Sequence, residues 1–514
     1  MLPTATVTYD YDDFYRASHD VEVNGSDILT TDYTFRNGSA ANSTSLMVSS
    51  VTNAGNGWSD TLTYTYDANG NIETISQNGT LKAKYYYDAL NQLVREDNAW
   101  LGKTIVYTYD NGGNMKNFSE YAYTTGDISG SAVSSNNFAY SSTNWRDKLT
   151  AYMGKGISHD AIGNPLGYYN GFTFDWQNGR QLAGVTGNNQ TISYTYNADG
   201  IRTSKTVNGV TTNYTLEGSN VVMETNGTDT IWYYYDATGS LTGFELNGTA
   251  YFYVKNLQGD IIAIVNSSGT KVVEYLYDSW GKLISTTGSL ASTVGVKNPY
   301  RYRGYRYDTE TGLYYLQSRY YDPGAKRFVN ADGYVSTGQG VLGNNMFAYC
   351  GNNPVNCIDP IGTYKIPMLQ NVLHDCSKPM IYKENIMEKW AKEGVIYESN
   401  GSGKGGKIIN SYKITDFAEL YSYAYYLVMK SEYSDDFLGS VEGVVFEWEV
   451  HNFIYYFGPE VWNDNATDVE FGATIFDDPH EGLNFIMWEA FRWLCPIQHF
   501  LDLLIYLDSN NNVI

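Results

Sequence analysis

Charge is scarce in this chain and mostly of one sign. Charged side chains make up 17% of 514 residues, with 33 Lys and Arg against 56 Asp and Glu, a formal net charge of -23. Affinity for nucleic acid comes mainly from cations that neutralise backbone phosphates, so no broad surface here is read as a nucleic-acid interface. Nucleic acid stays open only as the substrate of a small local site. The four cysteines, Cys350, Cys357, Cys376 and Cys495, have neither CxxC spacing nor the density of a disulfide scaffold, and are read as reduced structural thiols. Long apolar runs are missing too. Phe485 to Leu507 comes nearest, but Glu489, Arg492, His499 and Asp502 break it, so it reads as a buried or amphipathic helix and not a membrane span. The opening MLPTATVTYDYDDFYR has neither a basic nor an apolar signal region. The expectation is a soluble chain without a signal peptide, whose export to the cell surface or medium would follow a non-classical route through separate secretion machinery.

What is abundant is Tyr (49) and Gly (50), with aromatics at 16%. Tyr and Thr suit pleated surfaces and Gly supplies positive φ, so the bulk of the chain is expected to be β. A motif Tyr-x-Tyr-Asp-x-x-Gly-x-apolar recurs at Tyr64–Asp67, Tyr85–Asp88 and Tyr107–Asp110, more loosely at Phe172–Asp175 and Tyr194–Asn197, and again at Tyr233–Asp236 and Tyr275–Asp278. A period of 21 to 22 residues is too short for a helical hairpin and fits a strand, a turn and a strand. Alternation places successive side chains on opposite faces, Asp caps the turn, Gly takes the positive φ, and the apolar residue starts the return strand. Each unit is then a β-hairpin that must stack on its neighbours to be stable, giving a long, winding antiparallel sheet. A β-solenoid or propeller of the same period stays open at this point. The predicted division is a repeat array over 1–295, a core segment over 296–362 and a separate domain over 363–514.

The core segment, Tyr300 to Gly362, contains GYRYDTETGLYYLQSRYYDPGAKRFVNAD and no histidine. Its candidate chemistry is therefore carboxylate chemistry. Two carboxyls held close share a proton, one acting as base towards water and the other as acid towards an amide. The candidates are Asp322, Asp332 and Asp359; the alternative is that Asp322 and Asp359 only shape Asp-Pro turns. Arg301, Arg303, Arg306, Arg319 and Arg327 alternate with Tyr and read as structural ion pairs and cation–π stacks.

The repeat pattern resembles the YD repeat of the RHS (rearrangement hot spot) family, and Tyr300–Gly362 resembles the repeat-associated core domain of that family. The likeness runs over about residues 55 to 362. It implies a mainly β fold in which antiparallel hairpins wind into a curved sheet or cocoon-like shell around a C-terminal toxin, with the core plugging one end. It also implies a polymorphic-toxin carrier that meets an immunity protein, and autoproteolysis by an aspartyl mechanism near residue 363. The first aspartyl motif falls on Asp332, where Gly-Tyr-Val follows without the expected Pro and Gly. The second falls on Asp359-Pro360-Ile361-Gly362, with Thr363 in place of Leu. The repeats are too few for a complete shell, so a longer protein is expected. A reading from a different class is a non-catalytic surface protein whose Tyr-rich repeats bind carbohydrate.

Beyond Gly362 the composition changes. From Tyr364 there are 10 Lys and Arg against 23 Asp and Glu, a balance of -13, and helical spacing appears in IMEKWAKEGV, FAELYSYAYYLVMKS and LNFIMWEAFRWL. The tail is expected to be a mostly helical α+β domain, packed against or enclosed by the concave face of the sheet. The loop SNGSGKGGK lacks phosphate-loop spacing. Glu449 and His451 on one strand face, with Asp468 and His480, make a weak candidate acid/base or divalent-metal constellation; a half-exposed strand describes them as well. No other cofactor is expected.

Overall fold

The computed structural model describes residues 5–11, 17–23, 26–37, 44–143, 145–236, 239–333, 341–363 and 365–367, and five short strands beyond. Two units are present. One comprises Met1–Tyr9, Ser18–Thr34 and Val48–Met368, the other Asp10–Ala17, Phe35–Met47 and Leu369–Ile514. In the second unit, the described tail residues pair Ile396–Ser399 with Ile408–Ser411 and with Val445–Phe446, and Val469–Phe471 with Thr474–Phe476. The helical segments read from sequence, and Glu449, His451, Asp468 and His480, lie outside the described residues.

The repeat array is antiparallel throughout, each strand pairing with its sequence neighbours. It forms a 13-stranded sheet from Ala5–Tyr11 to Lys155–Gly156 and a 14-stranded sheet from Ser158–His159 to Leu283–Thr287. The single sheet expected from the repeats is thus two. The break falls within one strand, where Lys155 and Gly156 pair with Tyr152 and Ala151, while Ser158 and His159 pair with Gly167 and Pro165. A strand that changes partners half-way turns a corner between sheets. The array also meets itself after about one winding. Trp58 Nε1 donates to Gly269 O (2.8 Å), Asn53 Nδ2 donates to Lys255 O (3.0 Å), and Lys271 pairs with Asp60.

Each letter of the repeat has a physical role. The turn Asp accepts two backbone N–H groups through one oxygen, from positions +2 and +4: Asn69 and Asn71 at Asp67 (2.8 and 2.9 Å), and Trp280 and Lys282 at Asp278 (both 2.9 Å). These amides have no ladder partner, and a carboxylate acceptor satisfies both. Position +3 has positive φ, with Gly70 at 80° and Gly281 at 85°; at Asp88 the residue is Asn91 at 57°, the side chain that best tolerates this region. The opposite edge uses two-residue Asn-Gly turns such as Asn78–Gly79, Asn208–Gly209 and Asn247–Gly248, with both φ angles positive. The first Tyr of each motif is buried: Tyr64, Tyr85, Tyr107, Tyr194, Tyr233 and Tyr275 are all at most 6% exposed. The second acts as a staple across repeats. Tyr87 OH donates to Ile72 O (2.7 Å), Tyr109 OH to Leu93 O (2.7 Å) and Tyr277 OH to Ile261 O (2.9 Å), each acceptor being the residue that opens the preceding repeat's return strand. A β-bulge where these tyrosines pair with the return strand turns the side chain toward that acceptor.

The core segment packs on the array within the same unit and covers many of its tyrosines. Tyr300 lies edge-on to Tyr233 (4.9 Å between centroids), and Tyr320 packs against Tyr194 (5.8 Å). Five of the array's acidic and basic groups pair with it: Arg202 and Lys205 with Asp308, Glu224 with Arg306, Asp260 with Arg303, and Asp278 with Lys326. The stretch GNNPVN docks on the edge formed by the Asp turns. Asn353 Nδ2 donates to Asn71 Oδ1 (3.0 Å), Asn352 Nδ2 to Gln92 Oε1 (2.9 Å), and farther back Asn345 Nδ2 to Asn114 Oδ1 (3.0 Å). These acceptors occupy position +4 of three successive turns.

Candidate active site

The core's own four strands, Arg306–Asp308, Leu313–Leu316, Arg319–Asp322 and Arg327–Phe328, pair in sequence order. They carry Arg319 into the interior, where its guanidinium lies over the Phe328 ring at 3.5 Å. Arg319 Nη2 meets Asp332 Oδ2 at 2.9 Å and Asp359 Oδ2 at 3.2 Å, and all three side chains are at most 5% exposed. Asp332 and Asp359, 27 positions apart in sequence, therefore share one cation. The backbone completes the arrangement. Asp332 N–H donates to Met346 O (2.9 Å), and Asp359 N–H is held by Tyr305 Oη (2.8 Å).

Gly362 sits against the strand that ends at Leu316. Its φ is +74°, and a Cβ there would come within 2.7 Å of Leu316 O and 2.9 Å of Ser318 Oγ. Glycine is required at this approach because any side chain would push the peptide off the site. The Gly362 carbonyl accepts from Arg319 Nε, and the Thr363 N–H donates to Asp359 Oδ1 at 2.9 Å. Asp332, Asp359, Arg319, Thr363 and Cys350 line a cavity of about 30 Å³, room for a water or two.

In this cluster two buried carboxylates share one buried guanidinium, and Lys365 lines the same cavity. Burial pushes the Asp359 carboxyl up to about 6, Arg319 works against this, and the neighbouring Asp332 adds to it. Burial also lowers Arg319 from its ordinary value, against the pull of Asp359 and Asp332. One carboxyl able to hold a proton beside a second carboxylate is the arrangement that aspartyl hydrolysis needs.

Asp322 does not join this group. One of its oxygens accepts the Gly324 and Ala325 amides (2.8 and 3.1 Å) and the other accepts Tyr168 and Tyr169 hydroxyls (2.9 and 3.0 Å). Four donors saturate the carboxylate, so its place is the turn and not the catalytic set. Arg301, Arg303, Arg306 and Arg327 stack on tyrosines or phenylalanine as the alternation implies. Arg319 is the exception that sequence reasoning grouped with them. The signal that could have singled it out is its place in SRYYDP, beside Ser318, whose hydroxyl also reaches the Gly362 carbonyl (2.7 Å). Cys350 and Cys357 are free and buried. No group of His, Cys, Asp and Glu able to hold a metal occurs among the described residues, and no described helix is long and apolar enough to cross a membrane.

Stacked hairpins with Asp-capped turns, closed by a Tyr/Arg core that brings two aspartates together, define a YD-repeat β-shell with its repeat-associated core. Over these residues the chain is similar to YD-repeat proteins of the RHS type. Residues 219–355 match the family described as Teneurin YD-shell. The chain is similar to the tRNA3(Ser)-specific nuclease WapA of Bacillus spizizenii, 37% identical over 283 residues, 54% of this chain and 12% of that protein. The tRNA nuclease WapA of Bacillus subtilis is 39% identical over 228 residues, 43% and 10% respectively. The chain thus spans about a tenth of the length of these relatives. In fold it is similar to a TcdB2-TccC3 crystal structure, with a TM-score of 0.52 at 19% identity over 70% of this chain and 19% of that chain. The Photorhabdus luminescens Tc holotoxin pore gives 0.51 at 18% identity, over 69% and 20%.

Proposed function

We propose that this chain is a carrier of the polymorphic-toxin type, in which the YD-repeat array and core form part of a shell for a C-terminal effector spanning 363–514. The effector is freed by hydrolysis near residue 363. The observation that carries the reading is the convergence of Asp332 and Asp359 on Arg319, around the peptide that joins core to tail. In the proposed reaction ionised Asp332 takes a proton from water held in the cavity, and protonated Asp359 supplies one to the departing amide nitrogen. Near neutral pH roughly a tenth of molecules hold that proton on a carboxyl of pKa about 6, enough for a reaction that each chain performs once. The relatives' names, tRNA nucleases and in one case a double-stranded DNA deaminase toxin of Burkholderia cenocepacia, favour an effector acting inside a target cell. Delivery to the surface or medium and a neutralising immunity partner follow from the same reading. The tyrosines that would offer a carbohydrate platform are instead buried or bonded to backbone carbonyls, so that alternative has no observation in its favour.

The test is inducible expression of the full chain in a bacterial host. The wild type should release a fragment comprising 363–514 and arrest growth, while Asp332→Asn and Asp359→Asn stay full length and leave growth unaffected. Intact wild-type protein in a growing host would refute the reading.

A further inference from the structure

The two aspartates locate a reaction, but the choice of bond depends on which peptide is held at both ends. The carbonyl oxygen of Gly362 accepts from Arg319 Nε and lies 2.7 Å from Ser318 Oγ. That hydroxyl has one hydrogen and is also 2.6 Å from Ile361 O, while the Ser318 amide donates to Ile361 O at 3.2 Å. As negative charge grows on the Gly362 oxygen, the hydroxyl gains by turning to it, since Ile361 O keeps the amide. On the other side of the same bond, the Thr363 nitrogen is 2.9 Å from Asp359 Oδ1. Asp332 faces the cavity from across Arg319.

Resting on the self-cleavage reading above, the geometry points to the Gly362–Thr363 peptide itself as the bond that is cut, with Arg319 and Ser318 as the oxyanion donors. Water's oxygen bonds to the Gly362 carbon as Asp332 takes its proton. The carbonyl electron pair moves onto the oxygen held by Arg319 Nε and Ser318 Oγ, where preorganised donors stabilise it. Collapse breaks the C–N bond as Asp359 delivers its proton to the Thr363 nitrogen, leaving a Gly362 carboxyl group and a Thr363 amine. Arg319 thus has two functions, orienting both carboxylates through Nη2 and binding the reacting oxygen through Nε. Ser318 is exposed, so its replacement leaves packing alone and isolates the second function.

The experiment incubates the purified full chain at about pH 6 and analyses it by mass spectrometry under denaturing conditions. Denaturation is needed because Ile366 and Pro367 pair with Ile358 and Cys357 and would hold the product in place. A released fragment whose first residue is Thr363 is expected. Ser318→Ala should slow its appearance on the order of 10-fold to 100-fold, with unchanged thermal unfolding, and Ser318→Thr should restore most of the rate. A fragment that begins at Tyr364 would overturn the choice of bond while leaving self-cleavage standing. No fragment at all would overturn both. Cleavage of Ser318→Ala at the wild-type rate would remove Ser318 from the oxyanion site.

Discussion

Replacing Asp308 by Asn should loosen the core from the repeat array by about 4 kcal/mol. Asp308 accepts two bonds from Arg202, at 2.6 and 3.1 Å, and a third from Lys205 at 3.2 Å, and the Arg202 and Asp308 side chains are 1% and 2% exposed. Burial alone would raise the Asp308 carboxyl, but Arg202 and Lys205 overcome it and hold the group well below the usual carboxylate range. Asn keeps the shape and removes the charge. Lys205 retains Glu310 at 2.9 Å, whereas Arg202 is left as a buried cation without a carboxylate. Breaking a buried pair from one side costs about 3 to 5 kcal/mol. Arg202 keeps its stacking on Tyr315 (4.4 Å) and Tyr194 (5.1 Å), which holds the cost near the middle of that range. A double replacement, Arg202→Met with Asp308→Leu, should recover most of the loss, because it strands no charge.

A chain of this size does not unfold in two states, so the assay is hydrogen exchange read at Arg202–Val207 and Arg306–Asp308. A cost of 4 kcal/mol lowers protection roughly 1,000-fold in both segments. The sign of the pH effect is fixed as well. A depressed carboxylate contributes stability above its unfolded value near 4 and loses it only as pH falls through the still lower folded value, so the defect should be constant between pH 5 and 8. Protection within 10-fold of wild type in both segments would refute the argument that this pair joins core to array.

The staple hydroxyls should behave as independent bonds. Tyr109→Phe removes a single bond to Leu93 O and should cost about 1 kcal/mol, whereas Tyr87→Phe also removes one of the two bonds donated by Asn356 Nδ2, which lies 3.0 Å from the hydroxyl and keeps Asn353 Oδ1 at 2.7 Å, and should cost more; equal losses in local hydrogen exchange would contradict this order. For Asp359 the folded value is raised, so its contribution is full below about pH 4 and disappears as pH rises through about 6. Asp359→Asn should therefore gain on wild type by up to about 3 kcal/mol between pH 4 and 7, measured as the difference in hydrogen-exchange protection at Cys357–Ile358, and a gap that is flat with pH would count against the buried cluster.

The half of the fold set by local chemistry was legible in the sequence. Tyr-x-Tyr-Asp-x-x-Gly names a strand, a capped turn and a positive φ, and each is present where its letters stand except at the looser copy Phe172–Asp175, where Asp175 lies inside the strand Thr173–Gln177 and the turn falls at Asn178–Gly179. The second edge was equally legible in Asn78–Gly79 and its equivalents, but the motif at the other end of the unit drew the reading away from it. What could not be read depends on which residues meet across many positions. The tyrosine staple needs the register of the strand pair that joins one repeat to the next, and the division into two sheets falls at a single residue, Ile157, whose amide donates back to Thr150 O (2.8 Å). At the site, Asp332 and Asp359 could be chosen by motif, while Asp322 was included for its Asp-Pro letters alone. Only packing against Tyr168 and Tyr169 shows it to be saturated. Arg319 was hidden among four arginines with the same Tyr neighbours, because alternation says that a side chain is buried but not what it is buried against.

The docking of core on array and the closing of the site are one event. Asn352 and Asn353 look like turn formers in sequence, yet their side chains bind position +4 of the turns at Asp88 and Asp67. Asn345 does the same at Asp110, and it also lines the Asp332–Asp359 cavity together with Leu342. Leu342 in turn rests against Gly113, where a Cβ would come within 2.5 Å of it. One wall of the cavity is therefore buttressed by the third Asp turn of the array. A core segment detached from the repeats would lose that wall, admit solvent, and give back the desolvation that raises Asp359. On the proposed self-cleavage, hydrolysis would then depend on completed packing of core on array.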